Sequence, residues 1–169
     1  MEFEGTYPLP EAQLDRFLTR IEMALPPIEA ELELYRRAVS GDGSEEAWGF
    51  AAMPEPVVTP DEARLLRRGA LRVHVSEDLL DYLGRLARAV RASEHLELGI
   101  SPRGALALLE TARAAALIEG RDFLVPDDLK RFLVACWEHR LLLTAEAELE
   151  GHNARRILER VAAEVEVPK

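Results

Sequence analysis

Signals that begin α-helices recur along the sequence, and this feature limits the fold more than any other. Thr59 is a helix cap followed by Pro60 at the first helical position, and Glu62 completes a capping pair. Ser76 and Ser101 precede apolar residues at helical spacing in the same way. Further helices are predicted over residues 11–19, 28–39, 126–139 and 153–165. The sequence therefore predicts a mainly α fold, built as a helical bundle.

Two stretches alternate between apolar and polar residues and are predicted to be extended. The first contains Ile21, Met23 and Leu25, is expected to form a short strand, and is ended by two prolines. The second covers residues 71–75. Between the predicted helices, residues 40–44 are typical of a flexible break, and residues 48–58 suggest a partly buried connector.

Charge and composition exclude several classes of protein. The 169 residues carry a net charge of −10, which disfavours nucleic-acid binding because such binding depends on neutralising phosphates. We therefore interpret the arginine cluster of residues 64–72 as a solvated helix face. No apolar run approaches the roughly 20 residues of a membrane span. The single cysteine, Cys136, and the acidic start favour a cytoplasmic protein without a membrane or nucleic-acid partner.

Motifs that carry catalysis by themselves are missing. A phosphate-binding loop requires a lysine after glycine, but the lysines, Lys130 and Lys169, follow leucine and proline. The four histidines are well separated in sequence and Cys136 has no cysteine partner, so no metal site is predicted. We interpret the acidic residues at 146, 148 and 150 as a solvated loop.

Two stretches resemble the MoxR-type AAA+ ATPases. Residues 4–17 read EGTYPLPEAQLDRF, which is similar to the signature that follows the sensor-1 asparagine of that family. Residues 98–105 (LGISPRGA), 120–129 (GRDFLVPDDL) and 139–141 (HRL) are similar to its helical lid and occur in the family's order. The resemblance covers most of the chain and is weakest over residues 40–58.

The resemblance implies an AAA+ lid helical bundle with a short remnant of the AAA+ α/β core. Residues 1–26 would be the C-terminal edge of that core, with the finger helix and the last strand. Residues 27–75 would be connecting helices and a loop, and residues 76–169 the lid. It also implies ATP and Mg²⁺ as cofactors. The expected partners are other AAA+ subunits, which would form a ring, most simply a hexamer. Client proteins or metal-binding-domain proteins are expected as further partners.

The resemblance further implies roles for two arginines. Arg16 matches the arginine finger, which is donated to the γ-phosphate bound by a neighbouring subunit. Arg103 matches the sensor-2 arginine in the first turn of a lid helix, and whether it acts within its own subunit or across the interface stays open. Judged without the family, Arg16 would be a surface residue paired with Asp15 or Glu11. Arg103 would likewise be a surface residue, paired with Glu110.

The sequence also departs from the family. Walker A and Walker B motifs are absent, so we expect no ATP hydrolysis by this chain alone. Val125 precedes a helix without a capping oxygen in its own side chain, and residues 135–138 lack the expected proline. The alternative function is a non-enzymatic helical module that binds partner proteins. A helix-turn-helix is a third interpretation, which the net charge and the alanine-rich helix face disfavour.

Overall fold

A computed structural model describes residues 9–40 and 55–168, and their secondary structure is mainly α-helical, as predicted. Contacts divide these residues into two compact units. One unit contains residues 9–21 and 64–168, and the other contains residues 22–40 and 55–63. The segment that carries Arg16 thus packs in the same unit as the predicted lid. The division at 26 and 75 stays a prediction, because packing units need not follow the boundaries of a parent domain.

Eight α-helices lie within the described residues. They are α1 Glu11–Leu14, α2 Ile28–Ser40, α3 Pro60–Ala70, α4 Glu77–Arg91, α5 Pro102–Ile118, α6 Pro126–Trp137, α7 Ala145–Leu149 and α8 Ala154–Glu164. A short 3-10 helix, Glu138–Arg140, follows α6 directly. Helix α1 is shorter than predicted, since Asp15 and Arg16 already form a turn. Ser40, the first residue of the predicted flexible break, ends α2, and the rest of the break and most of the predicted connector lie outside the described residues.

Local capping explains where most helices begin. The Ser76 hydroxyl accepts a hydrogen bond from the Leu79 amide at 3.3 Å, and the Asn153 side chain accepts one from the Arg156 amide at 2.9 Å. Helix α6 uses a different donor–acceptor pair: the Asp128 carboxylate accepts the amide of Val125 at 2.9 Å. An acidic residue three positions into the helix thus replaces the cap that the sequence lacks.

The core lies between α4, α5, α6 and α8. The largest fully buried side chains include Trp137, Tyr82, Leu108, Leu129 and Leu158, which come from all four helices. The alanine-rich face of α5 takes part in this core, since Ala112 and Ala116 are buried. Small side chains allow the axes of packed helices to approach closely, which suits the contact of α5 with α6.

The extended segments differ from the prediction. The strand predicted at Ile21, Met23 and Leu25 is not formed, and these side chains are 76%, 88% and 89% exposed. The only two-stranded sheet of the described residues pairs β1 (Leu96–Leu98) with β2 (Leu142–Leu143) in antiparallel orientation. Residues 71–75 contribute a single bridge between His74 and Phe123. A strand needs a partner for its backbone groups, and alternation alone does not identify that partner.

The acidic run near residue 148 is also not a loop. It forms α7, whose first amides are capped by Thr144, since its hydroxyl accepts the Ala147 amide at 3.2 Å. Glutamates in the first turn of a helix are favoured by the helix dipole, and Ala147 is buried. Among the described residues, no helix combines the length and the apolarity that a membrane span requires.

Candidate functional site

Arg16 lies on an exposed turn at the end of α1. The Arg16 amide donates to the Gln13 carbonyl at 3.1 Å and the Phe17 amide donates to the Leu14 carbonyl at 3.1 Å, so the helix closes tightly there. The Arg16 side chain is exposed. Its guanidinium makes no hydrogen bond or ion pair with the residues that the structure describes, and in particular none with Asp15 or Glu11. The cation is therefore accessible to another molecule.

A second arginine, Arg140, is buried under this turn and hydrogen-bonded to its backbone. Its side chain is only 2% exposed, and its guanidinium Nε lies 3.3 Å from the Asp15 carboxylate. The guanidinium also donates to the carbonyl oxygens of Asp15, Phe17, Leu18 and Cys136. A buried charge is tolerated only when it is paired and hydrogen-bonded. Arg140 meets both conditions, and three of its acceptors belong to the turn that presents Arg16.

The charge state of Arg140 follows from the same surroundings. Burial lowers the pKa of its guanidinium, and the neighbouring Asp15 carboxylate acts in the opposite direction. Arginine titrates so far above neutral pH that the side chain remains a cation. Arg140 therefore stays positively charged throughout the physiological pH range, and its hydrogen bonds to the turn persist there.

Two further hydrogen bonds attach the turn to α6 and to the 3-10 helix that follows it. The Arg20 amide donates to the Ala135 carbonyl at 2.8 Å, and the His139 ring Nε2 lies 3.2 Å from the Phe17 carbonyl. Burial lowers the pKa of His139, and the charges of Arg140 and Arg20 add to this effect. The Nε2 of a neutral His139 would donate to the Phe17 carbonyl in the appropriate tautomer. The turn is thus attached at both ends as well as in the middle.

The Asp15 carboxylate connects the turn to the beginning of α5. It accepts a hydrogen bond from the Ser101 hydroxyl at 2.8 Å, and the same hydroxyl caps α5 by accepting the Gly104 amide at 3.0 Å. Arg103 lies in the first turn of α5, and its Nη1 is 3.9 Å from Asp15 Oδ2. The Arg103 side chain is 65% exposed. The pairing of Arg103 with Glu110 that spacing alone suggested is not among the ion pairs of the described residues.

Residues 135–138, at which the sequence departs from the family, contact the first turn of α5 through Trp137. Trp137 is fully buried, and its indole Nε1 donates to the Gly104 carbonyl at 2.9 Å. Gly104 itself faces Arg140: a Cβ at this position would lie 3.1 Å from Arg140 Cδ. The absence of a side chain at residue 104 therefore leaves the space through which the Arg140 side chain passes.

The structure thus brings the two arginines identified from sequence to one region, because Arg103 contacts the residue that precedes Arg16. Sequence reasoning missed Arg140 and Asp15 as the pair that organises this region. Residues 139–141 were matched to the lid without a role for Arg140. One signal was present in the sequence, because three leucines follow Arg140 directly. An arginine that is buried beside such an apolar run requires an acidic partner.

Comparisons with known proteins show which proteins the chain resembles in sequence. Residues 88–161 match the family model described as the AAA lid domain. The chain is 34% identical over 168 residues to the uncharacterized protein YeaC of Bacillus subtilis, and the match covers 99% of this chain and 50% of YeaC. It is 32% identical to the chaperone MoxR1 of Mycobacterium tuberculosis, with coverage of 100% and 45%.

A solved structure extends the similarity to three dimensions. A crystal structure from Cytophaga hutchinsonii, described as that of a candidate ATPase, superposes with a TM-score of 0.84 at 32% identity. The superposition covers 99% of this chain and 52% of the other. The chain therefore spans about half the length of the relatives it matches.

Proposed function

Because this chain belongs with the C-terminal parts of MoxR-like AAA+ ATPases, we propose that it supplies an arginine finger and a sensor arginine to a nucleotide site on a neighbouring subunit. Arg16 is the proposed finger and Arg103 the proposed sensor. The observation that carries this proposal is the contrast between an exposed, unpaired Arg16 and the buried Arg140 that fixes the turn beneath it.

The physical requirement for a finger is a cation held in a fixed position. Negative charge on the transferring phosphoryl oxygens must be met in the transition state, and a preorganised group does so without reorganisation. A guanidinium can donate two parallel hydrogen bonds to phosphate oxygens. The hydrogen bonds of Arg140 to the Asp15 and Phe17 carbonyls restrain the backbone on both sides of Arg16. Fixation of the backbone leaves only the Arg16 side chain to be ordered on binding.

Arg103 is proposed to act at the same interface as Arg16. The Asp15 carboxylate lies 3.9 Å from Arg103 Nη1 and directly precedes Arg16 in the chain, which supports presentation of both cations by one region of the subunit. Two cations from one region can approach one triphosphate. We therefore propose that Arg103 acts across the interface and reports nucleotide occupancy to α5.

ATP and Mg²⁺ are proposed to be bound by the partner subunit of this assembly. The 169 residues contain no phosphate-binding loop, whereas the exposed cations described here suit the opposite side of a triphosphate. We propose a ring of AAA+ subunits that acts in the cytoplasm and remodels partner proteins at the expense of ATP. The name of the relative MoxR1, a chaperone, supports such a role.

A complementation experiment tests the finger. The chain is mixed with a MoxR-type subunit that retains its phosphate-binding loop but carries alanine at its own finger position. We expect ATP hydrolysis to rise with added chain and the rise to be lost with Arg16→Ala, since fingers contribute roughly 10³–10⁵-fold to the rate. The matched control is Arg160→Ala, an exposed arginine on α8, which should stimulate like the unchanged chain.

The outcomes separate the two functional classes. Stimulation that Arg16→Ala retains would contradict the finger. Association with the ATPase subunit without any stimulation, from either version of the chain, would favour the non-enzymatic binding module.

A further inference from the structure

Two histidines that are distant in sequence meet at the edge of the lid. The rings of His95 and His152 stack with their centroids 4.1 Å apart and their planes inclined by 26°. The Glu150 carboxylate lies beside them, 3.3 Å from His152 Nε2. The separation of the histidines along the chain predicts no metal site. The fold nevertheless brings His95 and His152 into contact.

The backbone at both ends of the cluster is fixed. Glu150 and His152 flank Gly151, whose φ of +80° allows the chain to reverse between α7 and α8. The His152 amide donates to the Ala147 carbonyl at 2.9 Å, which closes this reversal. On the other side, the His95 carbonyl accepts the Thr144 amide at 3.0 Å, next to the pairing of β1 with β2.

The donor atoms suit a transition metal. One ligand atom from each of His95, Glu150 and His152 lies within 4.8 Å of the others. Two imidazoles and one carboxylate form a donor set of Zn²⁺ sites, with metal–ligand bonds of about 2.0–2.2 Å. Harder ions such as Mg²⁺ prefer oxygen-only surroundings. The three side chains are partly or fully exposed, so rotation about their side-chain bonds can bring the donor atoms to the spacing that a bound ion requires.

We propose that His95, Glu150 and His152 bind one Zn²⁺ ion, with water completing its coordination. The ion would join the turn before β1 to the turn between α7 and α8. These turns belong to segments distant in sequence, so the ion would crosslink the lid and stabilise its folded form by mass action. This site is independent of the proposed arginine finger and lies on residues that the finger proposal does not use.

Calorimetric titration of the tag-free, chelator-treated chain with ZnCl₂ at pH 7.5 tests the site. We expect one ion per chain, and an affinity at least about tenfold weaker in His95→Ala, His152→Ala and Glu150→Gln, because even outer partners of metal ligands contribute that much. The matched control is His74→Ala, an exposed histidine outside the cluster, which should bind like the unchanged chain. MgCl₂ should give no saturable heat.

Thermal unfolding and Co²⁺ absorption provide independent readouts. At a hundredfold excess of Zn²⁺ over Kd, the midpoint should rise on the order of 5 °C, and the variants that remove a ligand should lose this rise. Co²⁺ should show the visible bands of a histidine-bound, low-coordinate ion with the unchanged chain and not with His152→Ala. Circular dichroism identifies any variant that fails to fold. If a histidine variant fails, Glu150→Gln, a change at an exposed position, is compared with the unchanged chain instead. The proposal is overturned by the absence of saturable binding, by binding that all three variants retain, or by one ion per two chains.

Discussion

The turn of residues 15–20 and the segment of residues 21–25 are consecutive in the chain, but they differ in what orders them. The turn begins with Asp15 and is fixed by Arg140, which donates to three of its carbonyl oxygens and pairs with the Asp15 carboxylate. The following segment carries Ile21, Met23 and Leu25, all largely exposed, and has no regular secondary structure. Apolar side chains that stay exposed in the described part of the chain thus form no strand here, whereas one buried cation fixes a turn through hydrogen bonds.

The largest expected effect tests the cation. Arg140→Met removes the charge while keeping much of the side-chain volume. It leaves the Asp15 carboxylate without its buried cationic partner and several carbonyl groups without their donor. Removing one partner of a buried ion pair costs about 3–5 kcal/mol, so urea unfolding should show a loss of this size. Hydrogen exchange should also accelerate more at the Arg20 amide, which is bonded to the Ala135 carbonyl, than at the Leu158 amide in α8.

A matched control is Arg160→Met, which changes an exposed arginine and should alter stability by less than about 0.5 kcal/mol. An unchanged unfolding midpoint in Arg140→Met would contradict the importance assigned to this cation.

A smaller effect tests the space that Arg140 occupies. Gly104→Ala places a Cβ 3.1 Å from Arg140 Cδ, and the guanidinium cannot yield without losing its acceptors. Overpacking of this kind costs about 1–3 kcal/mol, which should exceed the gain in helix propensity. Gly84→Ala in α4 is the matched control, because no atom lies within 4 Å of its added Cβ. It should stabilise the chain by about 0.5–1 kcal/mol, and chemical denaturation measures both.

If Gly104→Ala instead stabilised the chain as much as Gly84→Ala does, the close packing of residue 104 against Arg140 would be disproved.

The smallest expected effect concerns the exposed segment. Leu25 is 89% exposed and Leu108 is fully buried, so one substitution can be compared in two surroundings. Leu25→Ala should change the free energy of unfolding by less than about 0.5 kcal/mol, whereas Leu108→Ala should cost about 2–5 kcal/mol. Thermal and urea unfolding measure the difference. A loss above about 1 kcal/mol in Leu25→Ala, by the same scale, would show that the segment packs more firmly than its exposure indicates.

Much of the helical fold could be predicted from the sequence. Helices α2, α6 and α8 lie within a few residues of the predicted bounds, and α3, α4 and α5 begin directly after the predicted caps, because caps and apolar spacing are local features. The predictions failed where a short element depends on a distant partner. Strands β1 and β2 contain three and two residues, too few for alternation to be recognised, and α7 resembled an acidic loop.

The residues of the candidate site were likewise only partly identified from the sequence. Arg16 and Arg103 were identified by resemblance to a family, and their roles stay predictions that the complementation experiment addresses. Arg140 was not identified, because its function depends on Asp15, 125 residues earlier in the chain. Spacing along the sequence contains no information about such a pair.

The sequence by itself determined most of the helices and the resemblance to the MoxR-like lid, since capping hydrogen bonds and helical periodicity join residues only three or four positions apart. Tertiary structure alone decided which charged groups meet. Packing of the helices around Trp137 places Arg140 beneath the turn of Asp15 and brings His95 beside His152. Contacts between such distant residues exist only after the core has closed the intervening chain, because the entropy of closing long loops is offset by burial of the whole core.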